Sequence, residues 1–224
     1  MNVLIFGATG MVGQGVLREC LGAHDVALVQ TVGRRGTGQR HPKLREIVHQ
    51  DLLDYGAIEG DLRNFAACFF CLGVSSIRKT EAEYTRITYD IALAAARTLA
   101  RLNPGMTFVY VSGAGTDSTE RGPTMWARVK GKTENGLLRL PFKAVYLFRP
   151  GAIQPLHGIR SRTLLYRLLY LPLTPLLALL RLLFPNQVLT TESVGQAMLA
   201  VARHGAAKQV LEAPDIGALG RPTL

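Results

Sequence analysis

Within its first twenty-one residues the chain runs from a continuous apolar stretch, Asn2–Phe6 (NVLIF), through Gly7-Ala8-Thr9-Gly10 into apolar residues at helical spacing, Met11, Val12, Val16, Leu17 and Leu21. An unbroken apolar run of this length reads as a strand buried on both faces. Three glycines, Gly7, Gly10 and Gly13, punctuate the passage into the helix. A strand, a tight glycine turn and a helix in that order predict a β–turn–α unit whose next strand lies parallel to the first, because the helix carries the chain back along the sheet.

The alternation then repeats. Strands are expected at residues 26–32, 44–49, 66–72, 106–112 and 143–149, with helices at 53–65, 82–102 and 123–140. Asn103-Pro104-Gly105 supplies a helix stop and turn after the second of these helices. Strand and helix alternating to about residue 150 predict an α/β fold: a doubly wound parallel sheet of the Rossmann type with helices on both faces. With 224 residues and neither an internal repeat nor a linker, the chain reads as one domain, 1–224, with a core of about 1–155 and a C-terminal region of about 156–224. Thr191–His204 has an amphipathic helical pattern opened by Thr190-Thr191-Glu192, a capping signal.

Composition narrows the function. Hydrophobic residues at 48% and charged residues at 19% exclude a disordered chain. A formal charge of +10 favours anionic ligands such as phosphorylated cofactors or acidic lipids. Nucleic acid is set aside, since no helix-turn-helix, zinc-finger or aromatic-interleaved basic motif is present. Three cysteines cannot form a disulfide framework, and no basic leader or cleavage site precedes the first strand, so a reducing cytoplasm is the expected setting. Cys68 and Cys71 form a C-x-x-C inside an apolar run, which reads as buried strand cysteines and not as half of a metal site.

The glycine turn carries the chemistry. Gly7 permits the turn, Gly10 lets the backbone approach a pyrophosphate, and Gly13 lets helix and strand pack closely. Thr9, Met11 and Val12 lie where the free N–H groups and partial positive charge of a helix start would receive phosphates. At the end of the second strand, where an acid would accept the ribose hydroxyls of NAD, the chain reads Val32-Gly33-Arg34-Arg35. The Arg34 and Arg35 guanidiniums cannot accept a hydrogen bond but can clamp a 2′-phosphate, so NADP(H) is expected in preference to NAD(H). Asp51 is placed to accept from the adenine amino group, with Leu52 covering the ring and Leu72-Gly73 letting the chain pass over the adenosine.

The GATGMVG turn, Gly33-Arg34-Arg35, Cys71-Leu72-Gly73, Arg149-Pro150-Gly151 and the late Val210–Glu212 together resemble the atypical short-chain dehydrogenase/reductases. Within them the chain resembles the Tat-interacting-protein-like group, also described as nucleoside-diphosphate-sugar-epimerase-like. The resemblance implies that Pro150 and Gly151 border the nicotinamide. It also implies a serine near the end of strand five and a Tyr-x-x-x-Lys on the next helix, one turn apart on one face. Ser112 and Lys130 match as candidate catalytic residues, with Lys130 also donating to the nicotinamide ribose. The tyrosine is replaced, because the stretch reads Trp126-Ala127-Arg128-Val129-Lys130. An indole N–H does not titrate near neutrality. Shifting the register to Lys132 puts Arg128 in the tyrosine position.

Three explanations stay open. Reductase chemistry is lost and the protein is an NADP(H) sensor or regulatory partner; another group donates the proton, with His157 in the loop after Pro150-Gly151 first and Thr116 and Asp117 next; or the substrate, such as a quinone, needs no side-chain acid.

Residues 164–185 (LLYRLLYLPLTPLLALLRLLFP) are leucine-rich, yet Arg167, Arg181, Pro172 and Pro175 interrupt them well short of the ~20 apolar residues a bilayer span needs. They read either as short helices buried against the domain or a second copy, or as a peripheral membrane contact through 160–185 with Arg160, Arg162, Arg167 and Arg181 facing lipid phosphates. The chain is therefore expected to be an NADP(H)-dependent oxidoreductase acting on a small hydrophobic carbonyl or quinone, with an NADP(H) sensor as the alternative and a sugar-nucleotide epimerase third.

Overall fold

The computed structural model describes residues 1–159 and 188–221. Residues 164–185 and the four arginines associated with them lie outside the described residues. The strands are β1 (Asn2–Phe6), β2 (Leu28–Gly33), β3 (Leu44–Val48), β4 (Ala67–Phe70), β5 (Thr107–Val111), β6 (Ala144–Arg149), β7 (Ala152–Gln154), β8 (Val188–Thr190) and β9 (Val210–Glu212). The helices are α1 (Met11–Gly22), α2 (Glu81–Thr85), α3 (Ile91–Leu102), α4 (Met125–Leu138), α5 (Thr191–His204) and α6 (Ala213–Leu219). Seven strands form one parallel sheet in the order β3-β2-β1-β4-β5-β6-β9, and β7 pairs with β8 in a small parallel ribbon. The expected doubly wound fold is what forms.

Alternate residues of each strand feed two cores, as the pleat requires. Val3 and Ile5 of β1 point into one, with Val16, Leu17, Val194, Met198 and Ile216, so α1, α5 and α6 cover that face. Leu4 and Phe6 point into the other, with Leu62, Leu93, Leu99 and Leu137, beneath α3 and α4. Phe6 pairs with Phe70, and Phe70 with Tyr110, in register across β1, β4 and β5, and the Phe6 and Phe70 rings stack at 5.2 Å. In-register aromatic neighbours fix the alignment of the carboxyl ends of these strands, because a one-residue slip would turn them to the opposite face.

Two expected elements differ. Residues 53–65 form only a 3-10 turn, Gly56–Leu62, where a helix was expected. Asp54 Oδ1 accepts Gly56 N–H at 2.8 Å, Gly56 and Gly60 weaken helix formation, and Asn64 adopts φ 67°, ending the turn before Phe65 enters the core. Residues 82–102 are helical throughout but contain a π-turn, Arg86–Asp90, between α2 and α3. Thr80 and Glu83 open this helix with a reciprocal capping box that the pattern reading overlooked. The ribbon β7–β8, strand β9 and helix α6 were not foreseen as elements; three-residue strands carry too little pattern to be read.

Close helix crossings follow from glycine. A Cβ on Gly15 of α1 would lie 2.5 Å from the Thr191 backbone oxygen, so α1 and α5 touch backbone to backbone there. Cys68 is fully buried on β4, and burial pushes its thiol up and that of Cys71, just beyond the strand, up to about 12. Cys68 is the buried strand cysteine expected, whereas Cys71 lies past the strand and is half-buried.

Candidate functional site

The sheet order reverses between β1 and β4, and in such sheets the crevice outside the carboxyl ends of the strands is where ligands bind. The chain brings Gly7, Arg34, Asp51, Leu72, Ser112 and Pro150 to that edge, since each directly follows or closely trails the end of β1, β2, β3, β4, β5 or β6.

At the turn after β1, Gly7 takes φ 77°, in the left-handed region that favours glycine, and a Cβ there would lie 2.6 Å from Leu72 N. A Cβ on Gly13 would lie 2.1 Å from the Gly7 carbonyl oxygen. Only glycine at both positions lets α1 press against the turn. Gly10 caps α1 without a side-chain bond, and no acid occupies the first helical turn. The first backbone bond into the helix is from Gln14 N to Gly10 O at 2.9 Å, so the Met11 and Val12 amides donate to no described carbonyl. Thr9, Gly10, Met11 and Val12 are all partly exposed. The turn thus presents unpaired N–H groups and uncancelled positive dipole to the crevice.

After β2, Arg34 and Arg35 are exposed, and neither guanidinium bonds to a described residue. Their loop is anchored from β3 and its end: Glu46 Oε2 accepts Thr37 N–H at 2.6 Å and Gln50 Nε2 donates to Arg34 O at 3.1 Å. Asp51 is exposed, and one of its oxygens accepts Leu53 N–H at 2.9 Å. Leu52 is buried in the core with Phe6 and Tyr55 and so forms the floor of this corner. Leu72 is half-buried beside the glycine turn and Gly73 is exposed, with open space where a Gly73 side chain would project.

The β5–β6 end is built differently. Ser112 is buried, and its hydroxyl donates to Glu134 Oε1 at 2.5 Å and Phe148 O at 3.1 Å. Glu134, with a side chain 1% exposed, also receives Arg149 through two nitrogens, Nε at 3.0 Å and Nη2. Arg149 reaches on to Glu212 on β9 and Ser118. Ser112 is therefore one link in a buried ionic lattice tying β5, β6, β9 and α4 together. Sequence reasoning missed Glu134, although its spacing four residues after Lys130 on a helix was available as a signal. It also missed the Arg149 side chain, having used only the turn that follows.

Lys130 points inward and donates through Nζ to the Ser112 backbone oxygen. Burial pulls its ammonium down to about 8, partly offset by the negative charge of Glu134. The alternative register fails on geometry: Lys132 is exposed with Nζ 4.7 Å from the Tyr89 ring centroid, and Arg128 is held by Gly122 O and Glu81. Trp126 is half-buried against the Gly113–Gly115 loop, its Cη2 3.6 Å from where a Gly115 Cβ would stand. Pro150 O accepts Ala114 N–H at 2.9 Å, tying the turn after β6 to that same loop, while Gly151 is exposed.

The remaining acid candidates are committed elsewhere. His157, at φ 56°, has Nε2 2.7 Å from Glu192 Oε2 in the first turn of α5, and it makes no bond to Ser112 or Lys130. Thr116 donates to Gly113 O at 2.7 Å. Asp117 accepts from Thr119 and from Gly122 N–H, bonds that hold its carboxyl below the usual range.

No family model matches the chain. It is 27% identical to "Protein FMP52-1, mitochondrial" of Scheffersomyces stipitis over 155 residues, 68% of this chain and 67% of that protein. It is also 27% identical to Protein HTATIP2 of Rattus norvegicus over 155 residues, 68% of this chain and 62% of that one, so the match spans about two thirds of these relatives or less. The resemblance to the Tat-interacting-protein-like group, drawn from the sequence motifs, agrees with the likeness to Protein HTATIP2. Among solved structures, MoeE5 in complex with UDP-glucose and NAD superposes with a TM-score of 0.68 at 18% identity, covering 95% of this chain and 75% of that one, a likeness of fold. The expectation of a cytoplasmic setting is overturned, since FMP52 relatives from several fungi are mitochondrial by name. Cys20, Cys68 and Cys71 form no disulfide, and that does not choose between compartments. Among the described residues no helix is long and apolar enough to cross a membrane.

Proposed function

We propose that the chain binds a nicotinamide dinucleotide along the carboxyl edge of the sheet and works as an NADP(H)-dependent oxidoreductase on a small hydrophobic carbonyl or quinone. The observation that carries the reading is the contrast within one crevice: unpaired amides at the start of α1 and two unpaired guanidiniums at the end of β2, with no acid in the first turn of α1. Such a surface favours a diphosphate at one point and a further phosphate at the other. Met11 and Val12 amides would hold the diphosphate, Arg34 and Arg35 the 2′-phosphate, and Leu72-Gly73 would flank the adenosine. Lys130 would hold the nicotinamide ribose near Pro150-Gly151. When bound, the reduced nicotinamide supplies a hydride, and the chain's own task is to orient the acceptor and provide a proton.

A second reading, an NADP(H) sensor without turnover, is favoured by Trp126 in the tyrosine position and by the Ser112 hydroxyl being spent on Glu134. Titration of the protein with NADPH and NADH, read by cofactor fluorescence, tests the binding claim; equal affinity for the two would remove the 2′-phosphate clamp. NADPH consumption with aldehydes and quinones separates the two readings. Tight binding with no turnover across that panel would decide for the sensor.

A further inference from the structure

We infer that Lys130 is itself the acid that protonates the substrate oxygen, in place of the tyrosine whose position Trp126 fills. The inference rests on the reductase reading above and specifies its proton source.

Every other hydroxyl, carboxyl or imidazole considered for the role is occupied or sealed away. Ser112 Oγ is given to Glu134 and Phe148 O, Thr116 Oγ1 to Gly113 O, and the Asp117 carboxylate is an acceptor for Thr119 and Gly122. His157 sits with Glu192 at the start of α5. Tyr84 and Tyr110 are 2% and 1% exposed, and burial pushes the Tyr110 phenol far up. Lys130 differs from all of these. The residue is half-buried, and its Nζ lies at the carboxyl end of β5 with the Ser112 carbonyl as its hydrogen-bond partner among the described residues. An ammonium has three N–H groups, so two remain for a ligand.

The charges around it explain why it can give a proton up. Glu134, one turn along α4, is the carboxylate whose charge acts on Lys130, but its oxygens are taken by Ser112 and by Arg149 of β6. Arg149 is shared in turn with Glu212 of β9. Facing α4 from the neighbouring helix are Glu81, paired with Arg128, and Tyr89, under Lys132. Lys130 is thus desolvated without an ion-pair partner among the described residues, and burial holds its ammonium down to about 8. It is mostly protonated at neutral pH yet a far stronger acid than a surface lysine, the condition general acid catalysis favours.

In the step, the carbonyl carbon receives hydride from the bound reduced nicotinamide and the C=O π pair moves to oxygen. The Lys130 Nζ–H bond breaks as the substrate O–H forms. The carbonyl leaves as an alcohol, the nicotinamide is left oxidised, and the neutral amine regains its proton from solvent water.

The test begins with the apoprotein. Acetylation by acetic anhydride between pH 6 and 11, read peptide by peptide in a mass spectrometer, should give a half-maximum near pH 8 for Lys130, with exposed Lys132 followed in the same digest as the comparison. Saturating NADPH should protect Lys130 and not Lys132. A Lys130 midpoint matching Lys132, or NADPH binding without protection, would overturn the inference alone; no binding of any pyridine nucleotide would overturn the reductase reading with it. With decanal and NADPH, Lys130→Arg keeps the charge but cannot release its proton, and turnover should fall by ~10²–10⁴-fold with loss of the alkaline limb near pH 8. Retention of the rate within threefold by Lys130→Arg would sink the idea, as would a wild-type profile flat from pH 6 to 10.

Discussion

At the ends of β1 and β2, polar groups are left exposed and unpaired, whereas at the ends of β5 and β6 almost every polar group is bonded to another within the protein. Met11, Val12, Arg34 and Arg35 offer donors that no described residue receives. Ser112, Glu134, Arg149, Glu212 and Ser118 satisfy one another. The first region can gain only by binding something anionic. The second spends its chemistry on holding strands and α4 in place. Lys130 sits at the boundary, anchored by one backbone carbonyl and otherwise available. Matching the residue types of a catalytic set does not show that those groups are free to act.

The sharpest way to break this contrast is Glu134→Ala. It removes the buried carboxylate partner of the Arg149 guanidinium, whose side chain is only 12% exposed and is left with Glu212 and Ser118, and should cost about 3–5 kcal/mol in urea unfolding. A loss below 1 kcal/mol would mean that the lattice does not hold this end together. Gly13→Ala comes next. Its Cβ would collide with the Gly7 backbone, so a destabilisation of ~1–3 kcal/mol should accompany a loss of nucleotide binding by calorimetry. Arg34→Ala combined with Arg35→Ala should separate binding from stability: about 10–100-fold weaker NADPH binding with NADH affinity unmoved, and a melting temperature within a degree or two of wild type. Ser112→Ala removes one donor to Glu134 and should cost about 1 kcal/mol while lowering turnover by less than tenfold; a hundredfold loss would return the hydroxyl to the chemistry.

Lys130 also gives a dependence on pH. Its folded value, about 8, lies below its unfolded value, so between roughly pH 8 and 10.5 the unfolded chain binds more protons and stability rises with pH. The burial penalty is present in full below pH 8 and gone above about 10.5. Lys130→Met should remove that rise, seen as a flatter melting temperature across pH 8–10; an unaltered slope would show that the ammonium is not desolvated.

The open end of the crevice, at β1 and β2, was legible in the chain because its signals are local. Gly7, Gly10 and Gly13 matter through spacing over seven residues, and Arg34-Arg35 through adjacency to a strand end. The polar half was not, because its partners lie far apart: Ser112 meets Glu134 across 22 residues, and Arg149 meets Glu212 across 63. His157 reads as a free loop histidine until Glu192, 35 residues later, is folded beside it. The helix expected at 53–65 failed for a local reason as well: the apolar residues there suit a helix, but Gly56, Gly60 and the Asp54 cap favour a tight turn, and no helix length is left to offset them.

By itself the sequence determined the parallel sheet, the glycine turn at its switch point and the cationic end of β2, because periodicity and glycine sterics act between near neighbours. Tertiary structure alone decided which polar groups remain available. Whether a hydroxyl or carboxylate is free depends on what distant segments bring within about 3 Å of it, and burial then fixes how readily a group such as Lys130 gives up its charge.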